Sequence, residues 1–276
     1  MKIISILIII NFICGQANYQ ILNSSTSFDE IFKSYEIKDE EYSFFHTAYP
    51  AEIDSYSISL SLNRIIKQEK YDFYLNLQSL DFGSLKDNIS NYTFSANEHL
   101  VQIFTSHSVN QNLRYLFGIG FINSNIDIYQ SNGMIFDAQF SYKFLNNTIV
   151  GRLENYGKIF KNYSSTNIDL PSILSISFNK DFTPFKIIVN YEYDLNLSDY
   201  LYTISSKFKI KNNLNIYLGL NSDRKNLIHG DYIDELLSGV RFGAAFKFEE
   251  YIFYIATQNM GAAGYSNSIS FKKIIL

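Results

Sequence analysis

Read alternately, residues 185 to 221 sort into two faces. Phe185, Ile187, Val189, Tyr191 and Tyr193 fall on one side, with Lys186, Asn190, Glu192 and Asp194 on the other. After a break, Tyr202, Ile204, Phe208 and Ile210 lie opposite Thr203, Ser205, Lys207 and Lys209. Lys211-Asn212-Asn213 then leads into Leu214, Ile216, Leu218 and Leu220. A period of two puts successive side chains on opposite faces of a strand. Strands of this length joined by short polar turns have the dimensions of transmembrane β-strands. The same unit recurs along the chain. Tyr56, Ile58, Leu60 and Leu62 alternate with Ser57, Ser59, Ser61 and Asn63; Tyr71, Phe73, Leu75 and Leu77 alternate with Asp72, Asn76 and Gln78. Further runs cover 42–49, 100–109, 113–122, 134–143, 148–155, 173–179, 240–248, 251–258 and 266–276. About fourteen strands are expected.

Alternation suits both a soluble sandwich, apolar face inward, and a membrane barrel, apolar face outward. Two features favour the barrel. The strands are longer than those of sandwiches. Turns are short on one side (211–213, 145–147, 249–250) and longer on the other (84–92, 158–170, 222–237), as periplasmic turns and extracellular loops are. The expected fold is therefore all-β, a single transmembrane antiparallel β-barrel with membrane lipid as its partner. Closure also removes the open edges that so many strands would expose.

The N-terminus adds export. Lys2 precedes the apolar run Ile3 to Ile13, long enough for a signal h-region and too short to span a bilayer. Gly15-Gln16-Ala17 supplies the small residues a signal peptidase needs, so 1–17 reads as a signal peptide, 18–40 as a short N-terminal segment and 41–276 as the barrel. The one cysteine, Cys14, leaves with the signal, so no disulfide or thiolate site is expected.

Composition excludes several classes. The 276 residues carry 22 Tyr, 24 Phe and no Trp, and a net charge of −4. Aromatic enrichment favours strands, and no basic stripe points to nucleic acid. The mean hydropathy of −0.07 argues against a helical membrane bundle. The run Asp39-Glu40-Glu41 reads as a solvated loop edge. His46, His99, His107 and His229 are scattered, without a convergent third ligand for a metal. No GxSxG elbow or phosphate-binding glycine loop occurs, so neither an enzyme nor a cofactor is expected. Gly118, Gly120, Gly219 and Gly243 lie in strands and read as structural.

Several motifs appear in order. They are Tyr19-Gln20-Ile21-Leu22-Asn23, Leu80-Asp81-Phe82-Gly83-Ser84-Leu85 and Phe94-Ser95-Ala96-Asn97-Glu98. Next come Ile128 to Gly133, Asn155-Tyr156-Gly157, Leu170-Pro171, Leu237 to Val240, Gly261 and Ser268-Ile269-Ser270. Together they resemble the PorV/PorQ family of outer-membrane barrels of the type IX secretion system, its PorQ branch most closely. The motif residues that carry it are Phe82, Gly83, Phe94, Ser95, Ala96, Asn155, Gly157, Leu170 and Pro171. The chain departs from the family in lacking a longer N-terminal segment with Asn-Pro, and in ending on Ile274-Ile275-Leu276 rather than an aromatic.

The resemblance implies a FadL-like barrel in the bacterial outer membrane. It also implies a non-enzymatic role, holding the cell-surface complex that attaches secreted cargo. The implied partners are a PorZ-like surface protein, with a PorU-like sortase and a PorV-like barrel nearby. Loops on a rigid scaffold carry binding. The 222–237 loop, with Asp223, Arg224, Lys225, Asp231, Tyr232, Asp234 and Glu235, is the expected docking surface. The alternative is a FadL-like channel passing small apolar solutes through its lumen; a lipase with a serine and histidine at the outer rim is a third reading.

Overall fold

The computed structural model describes residues 40–66, 69–86, 92–163, 169–196, 198, 200–222 and 237–275. The proposed signal peptide and the N-terminal segment up to residue 39 fall outside them, while Glu40, expected in that segment, begins the first strand. Fourteen strands follow one another: β1 (Glu40–Tyr49), β2 (Ile53–Ile66), β3 (Glu69–Lys86), β4 (Thr93–Ser108), β5 (Leu113–Ile126), β6 (Tyr129–Phe144), β7 (Asn147–Lys161), β8 (Ile173–Phe182), β9 (Phe185–Asp194), β10 (Tyr200–Lys211), β11 (Leu214–Asn221), β12 (Val240–Phe248), β13 (Tyr251–Asn259) and β14 (Tyr265–Ile275). Each pairs antiparallel with its sequence neighbours, and β1 pairs with β14 to close the barrel. Every strand read from alternation is present. The expected boundaries were short at the upper ends: β3 runs on to Lys86 and β7 to Lys161, where loops were expected from 84 and 158.

The apolar face points out. Along β10, Ile204 is 56% exposed and its neighbour Ser205 is 1% exposed. The pattern recurs around the circumference: Phe117, Ile176, Phe253 and Ile255 lie open on the outside, while Asn76, Gln102, Asn190 and Thr203 are buried on the inside. In water the outward set would be an aggregation surface; against lipid tails it is the expected solution. This apolar belt on a closed barrel makes the chain a bacterial outer-membrane barrel. The chain enters β1 and leaves β14 at one end, and the strands on that end are linked by two to four residues. We assign that end to the periplasm.

Glu40 and Glu41, expected at a solvated loop edge, instead open β1. Glu40 accepts from Arg64 at 2.7 Å, and Glu41 pairs with Lys272 at 3.2 Å across the β1–β14 closure. Strand pairing brought the cations opposite them, which composition could not show. Farther in, Arg114 bonds Asp72 and the Ser106 hydroxyl, with both charged side chains largely buried.

The inside is packed by side chains of uneven size. A Cβ on Gly118 would stand 2.4 Å from Cδ1 of Phe104, whose ring is buried with Tyr74 and Leu116. Gly118→Val is therefore expected to cost roughly 1–3 kcal/mol through overpacking, read as a lower urea midpoint for the barrel in lipid vesicles. An unchanged midpoint would mean that Phe104 has room to turn away.

Candidate functional site: the extracellular half of the lumen

The strands β3 to β7 are the tallest, and along them the two faces exchange character. The outward row Leu77, Val101, Phe121 and Met134 is apolar, and each residue pairs with the next across β3 to β6. The next outward row toward the extracellular end is Ser79, His99, Asn123 and Asn132; above it lie Asp81, Asn97, Asn125 and Gln130. Polar outward residues mark wall that stands clear of the hydrocarbon.

Here apolar residues appear on the inside. Leu80, Leu100, Ile122, Ile135, Ile159 and Leu170 form a buried cluster, with Tyr49, Ile53 and Phe82 packed on its edge. Ile122 and Ile135 are fully buried. Three register shifts shape this wall, one between Asp81 and Ser84 on β3, one beside Asn155 on β7 and one on β7 between Ile159 and Lys161. A bulge bends the strand and re-aims its side chains. Asn155 takes the left-handed conformation at φ 58, and its backbone N–H donates to Asp137 at 2.8 Å. Gly157 is required by close approach: a Cβ there would meet the Met134 carbonyl at 2.0 Å.

The described ends of the β7–β8 connection meet the inner wall here. Tyr163 donates to Ser124, which itself donates to Glu98 at 3.1 Å on the inner wall. Leu170 enters the cluster, Pro171 is fully buried, and Asn196 donates to the Leu170 carbonyl. At the rim Tyr92 donates to Asp127 at 3.0 Å, and that carboxylate raises the phenol above its ordinary pKa.

Directly below the cluster a polar chain crosses the inner wall, and the apolar group of Tyr74, Phe104 and Leu116 lies below that. Ser57 donates to Asn76 (3.0 Å), Asn76 to Gln102 (3.2 Å) and Gln102 to Asp137 (3.2 Å), a chain that runs from β2 to β6. Arg152 donates to Gln139 at 2.9 Å. On the other side Ser177 donates to Asn190 (2.6 Å), which donates to Glu192. Glu192 sits in the fields of Glu154, Arg152 and Arg241, so charges from β7, β9 and β12 meet across the lumen.

The motif residues named above largely build the extracellular mouth. Phe82 and Leu170 join the apolar cluster, Pro171 is buried next to Leu170 in the chain, Asn155 lies in the β7 bulge, and Gly157 pairs with Ile135 just above it. Gly83 closes the β3 bulge, its N–H bonded to Asp81 at 2.9 Å. Phe94, Ser95 and Ala96 open β4, with Ala96 buried. Asp223, Arg224, Lys225, Asp231, Tyr232, Asp234 and Glu235 lie outside the described residues, as does His229. His46 bonds Asp54 at 2.8 Å and stacks on Tyr56, and His107 lies between Tyr71 and Tyr115. His99 faces outward in the first polar row. Among the described residues no three His, Asp or Glu side chains are grouped to hold a metal.

Sequence reasoning missed the inner apolar cluster. Its signal was the doublets Leu100-Val101, Phe121-Ile122 and Ile135-Phe136, where both faces of a strand are apolar at once.

Solved structures share this architecture. The toluene transporter TodX of Pseudomonas putida superposes with a TM-score of 0.60 at 10% identity, covering 92% of this chain and 93% of that one. A monoaromatic hydrocarbon channel, CymD, gives 0.61 at 10% identity, with 93% and 92% covered. The toluene transporter TbuX of Ralstonia pickettii gives 0.55 at 8% identity, with 86% and 90% covered. These likenesses define the class: an outer-membrane barrel of FadL-like fold. No protein-family model and no curated protein matches the chain, so the PorV/PorQ resemblance rests on the sequence motifs alone.

Proposed function

We propose that the protein is an outer-membrane channel for small apolar solutes. The observation that carries this reading is the apolar cluster on the inner wall of β3 to β7, set directly above the polar chain from Ser57 to Asp137. Ile122 and Ile135 are already fully buried in the cluster that Leu170 completes, so a small solute enters by taking the place of that contact, and it gains roughly 25 cal/mol per Å² of its own apolar surface buried. Binding sites of this kind are apolar clefts with a few placed polar groups. The hydrocarbon channels named above, which share the fold, add support. The polar rows outside the same wall keep it soluble above the membrane, so the solute meets its first apolar surface inside the mouth.

The test is uptake of radiolabelled toluene by cells of a host without such a channel. Cells that make the protein should accumulate toluene faster than cells that do not. Leu170→Ser should raise that rate severalfold, since it removes the side chain that the solute displaces, and Leu170 joins the cluster from a connection rather than a strand. Uptake that is independent of the protein would overturn the reading. The finer role implied by the PorV/PorQ resemblance is a scaffold docking a PorZ-like surface protein, beside a PorU-like sortase and a PorV-like barrel. It would place function in the 222–237 loop. Shortening that loop would abolish cargo attachment under that reading and leave toluene uptake intact under ours.

A further inference from the structure

The inner wall of β8 to β11 is unlike the rest of the lumen. One row across it reads Asn179, Ile188, Ser205, Gly219 and Arg241, each paired with the next from β8 to β12. The row above reads Ser177, Asn190, Thr203 and Asn221. Ser175, on β8, is two residues farther toward the extracellular end. Ser177 and Asn190 satisfy each other. Four neighbours do not: the side-chain oxygens of Ser175, Asn179, Ser205 and Asn221 are buried with no hydrogen-bond partner among the described residues. All four side chains belong to residues at most 5% exposed, and all point into the barrel.

Buried polar atoms are nearly always hydrogen-bonded, and one left bare costs about 1–3 kcal/mol. Four within one patch define a site for something that donates. The two amide oxygens only accept, and the hydroxyls accept as well as donate. Ile188, 2% exposed, lies between Asn179 and Ser205, and Tyr217 packs with it from β11. Gly219, beside Ser205, carries no side chain. The geometry points to a subsite for a small neutral solute with an apolar ring and a hydroxyl that donates, such as a phenol. The ring packs on Ile188 while the hydroxyl donates to Asn179 or Ser205. This rests on the channel reading and narrows it: the barrel selects hydroxylated aromatics over pure hydrocarbons.

The discriminating set is p-cresol, 4-methylanisole and p-xylene, which share a ring and differ in the donor. The anisole keeps the oxygen and lacks the proton. Binding is measured by equilibrium dialysis against the folded barrel in lipid nanodiscs, with empty nanodiscs subtracted. The expected result is p-cresol bound about tenfold more tightly than 4-methylanisole, the worth of one net hydrogen bond. Asn179→Leu with Ser205→Ala should erase that preference by weakening p-cresol, with no loss of p-xylene binding. Asn179→Leu and Ser205→Ala made singly are the second test if the double variant does not fold, and one of them should erase the preference.

Equal binding of cresol and anisole overturns the subsite, since water then satisfies these oxygens. A preference for cresol that survives the double variant, or both single ones, overturns it too. In either case p-xylene binding keeps the channel reading standing. If none of the three binds, the channel reading fails and takes the subsite with it.

Discussion

Ile204→Arg is expected to destabilise the folded barrel by roughly 2–4 kcal/mol, the cost of a cation at the bilayer midplane on the lipid face. Ile204 lies open on the outer surface, and its row neighbours Val189 and Leu220 are apolar. The outward rows on either side of it are also free of charge: Tyr191 and Tyr202 above, Ile187, Ser206 and Leu218 below. Ser270→Arg is the control. Its side chain is only partly buried and lies on the inner face of β14, two residues from Lys272. It should cost much less, because the lumen already holds charge. Reversible folding into phospholipid vesicles, followed against urea, gives both values. Equal costs would mean that lipid does not cover the Ile204 face, and a larger cost for Ser270→Arg would mean that the faces are reversed.

Breaking the Arg114–Asp72 pair should cost still more. The two side chains are 13% and 7% exposed, and Asp72 also receives the Ser106 hydroxyl at 3.5 Å. Arg114→Met leaves a carboxylate in the interior without its cation, which is worth about 3–5 kcal/mol. The pair itself contributes far less than that, because desolvating two ions offsets most of their attraction. Arg114→Met with Asp72→Leu should therefore recover most of the loss. The same vesicle assay checks both variants. A double variant as unstable as the single one would show that the two residues act independently, through packing.

The contrast between these sites explains what could be read from the chain. Ile204 was legible because lipid imposes one rule on every outward residue, and alternation records it. Arg114 and Asp72 were not paired on sequence, because their contact depends on register across β3, β4 and β5. The upper wall was misread for a related reason. Between Leu77 and Leu80 the apolar phase of β3 passes from outside to inside. A pattern that inverts where the strand leaves the membrane looks like the end of the strand. The hydrogen-bonding subsite was invisible, since Asn179, Ser205 and Asn221 are ordinary inward residues until their neighbours are known. The loop that the resemblance favoured for docking lies outside the described residues.

The barrel is also a hoop of unequal staves. β3 has 18 residues and β11 has 8. The ladder between β3 and β4 runs from Tyr71 to Lys86, whereas that between β11 and β12 covers only Leu214 to Leu220. Each ladder bond must break before a seam parts, so the tall staves hold and the short ones give. Thermal breathing is then concentrated on the β11–β12 seam, beside the hydroxyl and amide wall. The rigid side of the hoop carries the apolar cluster, and the compliant side carries the groups that would have to adjust to each solute.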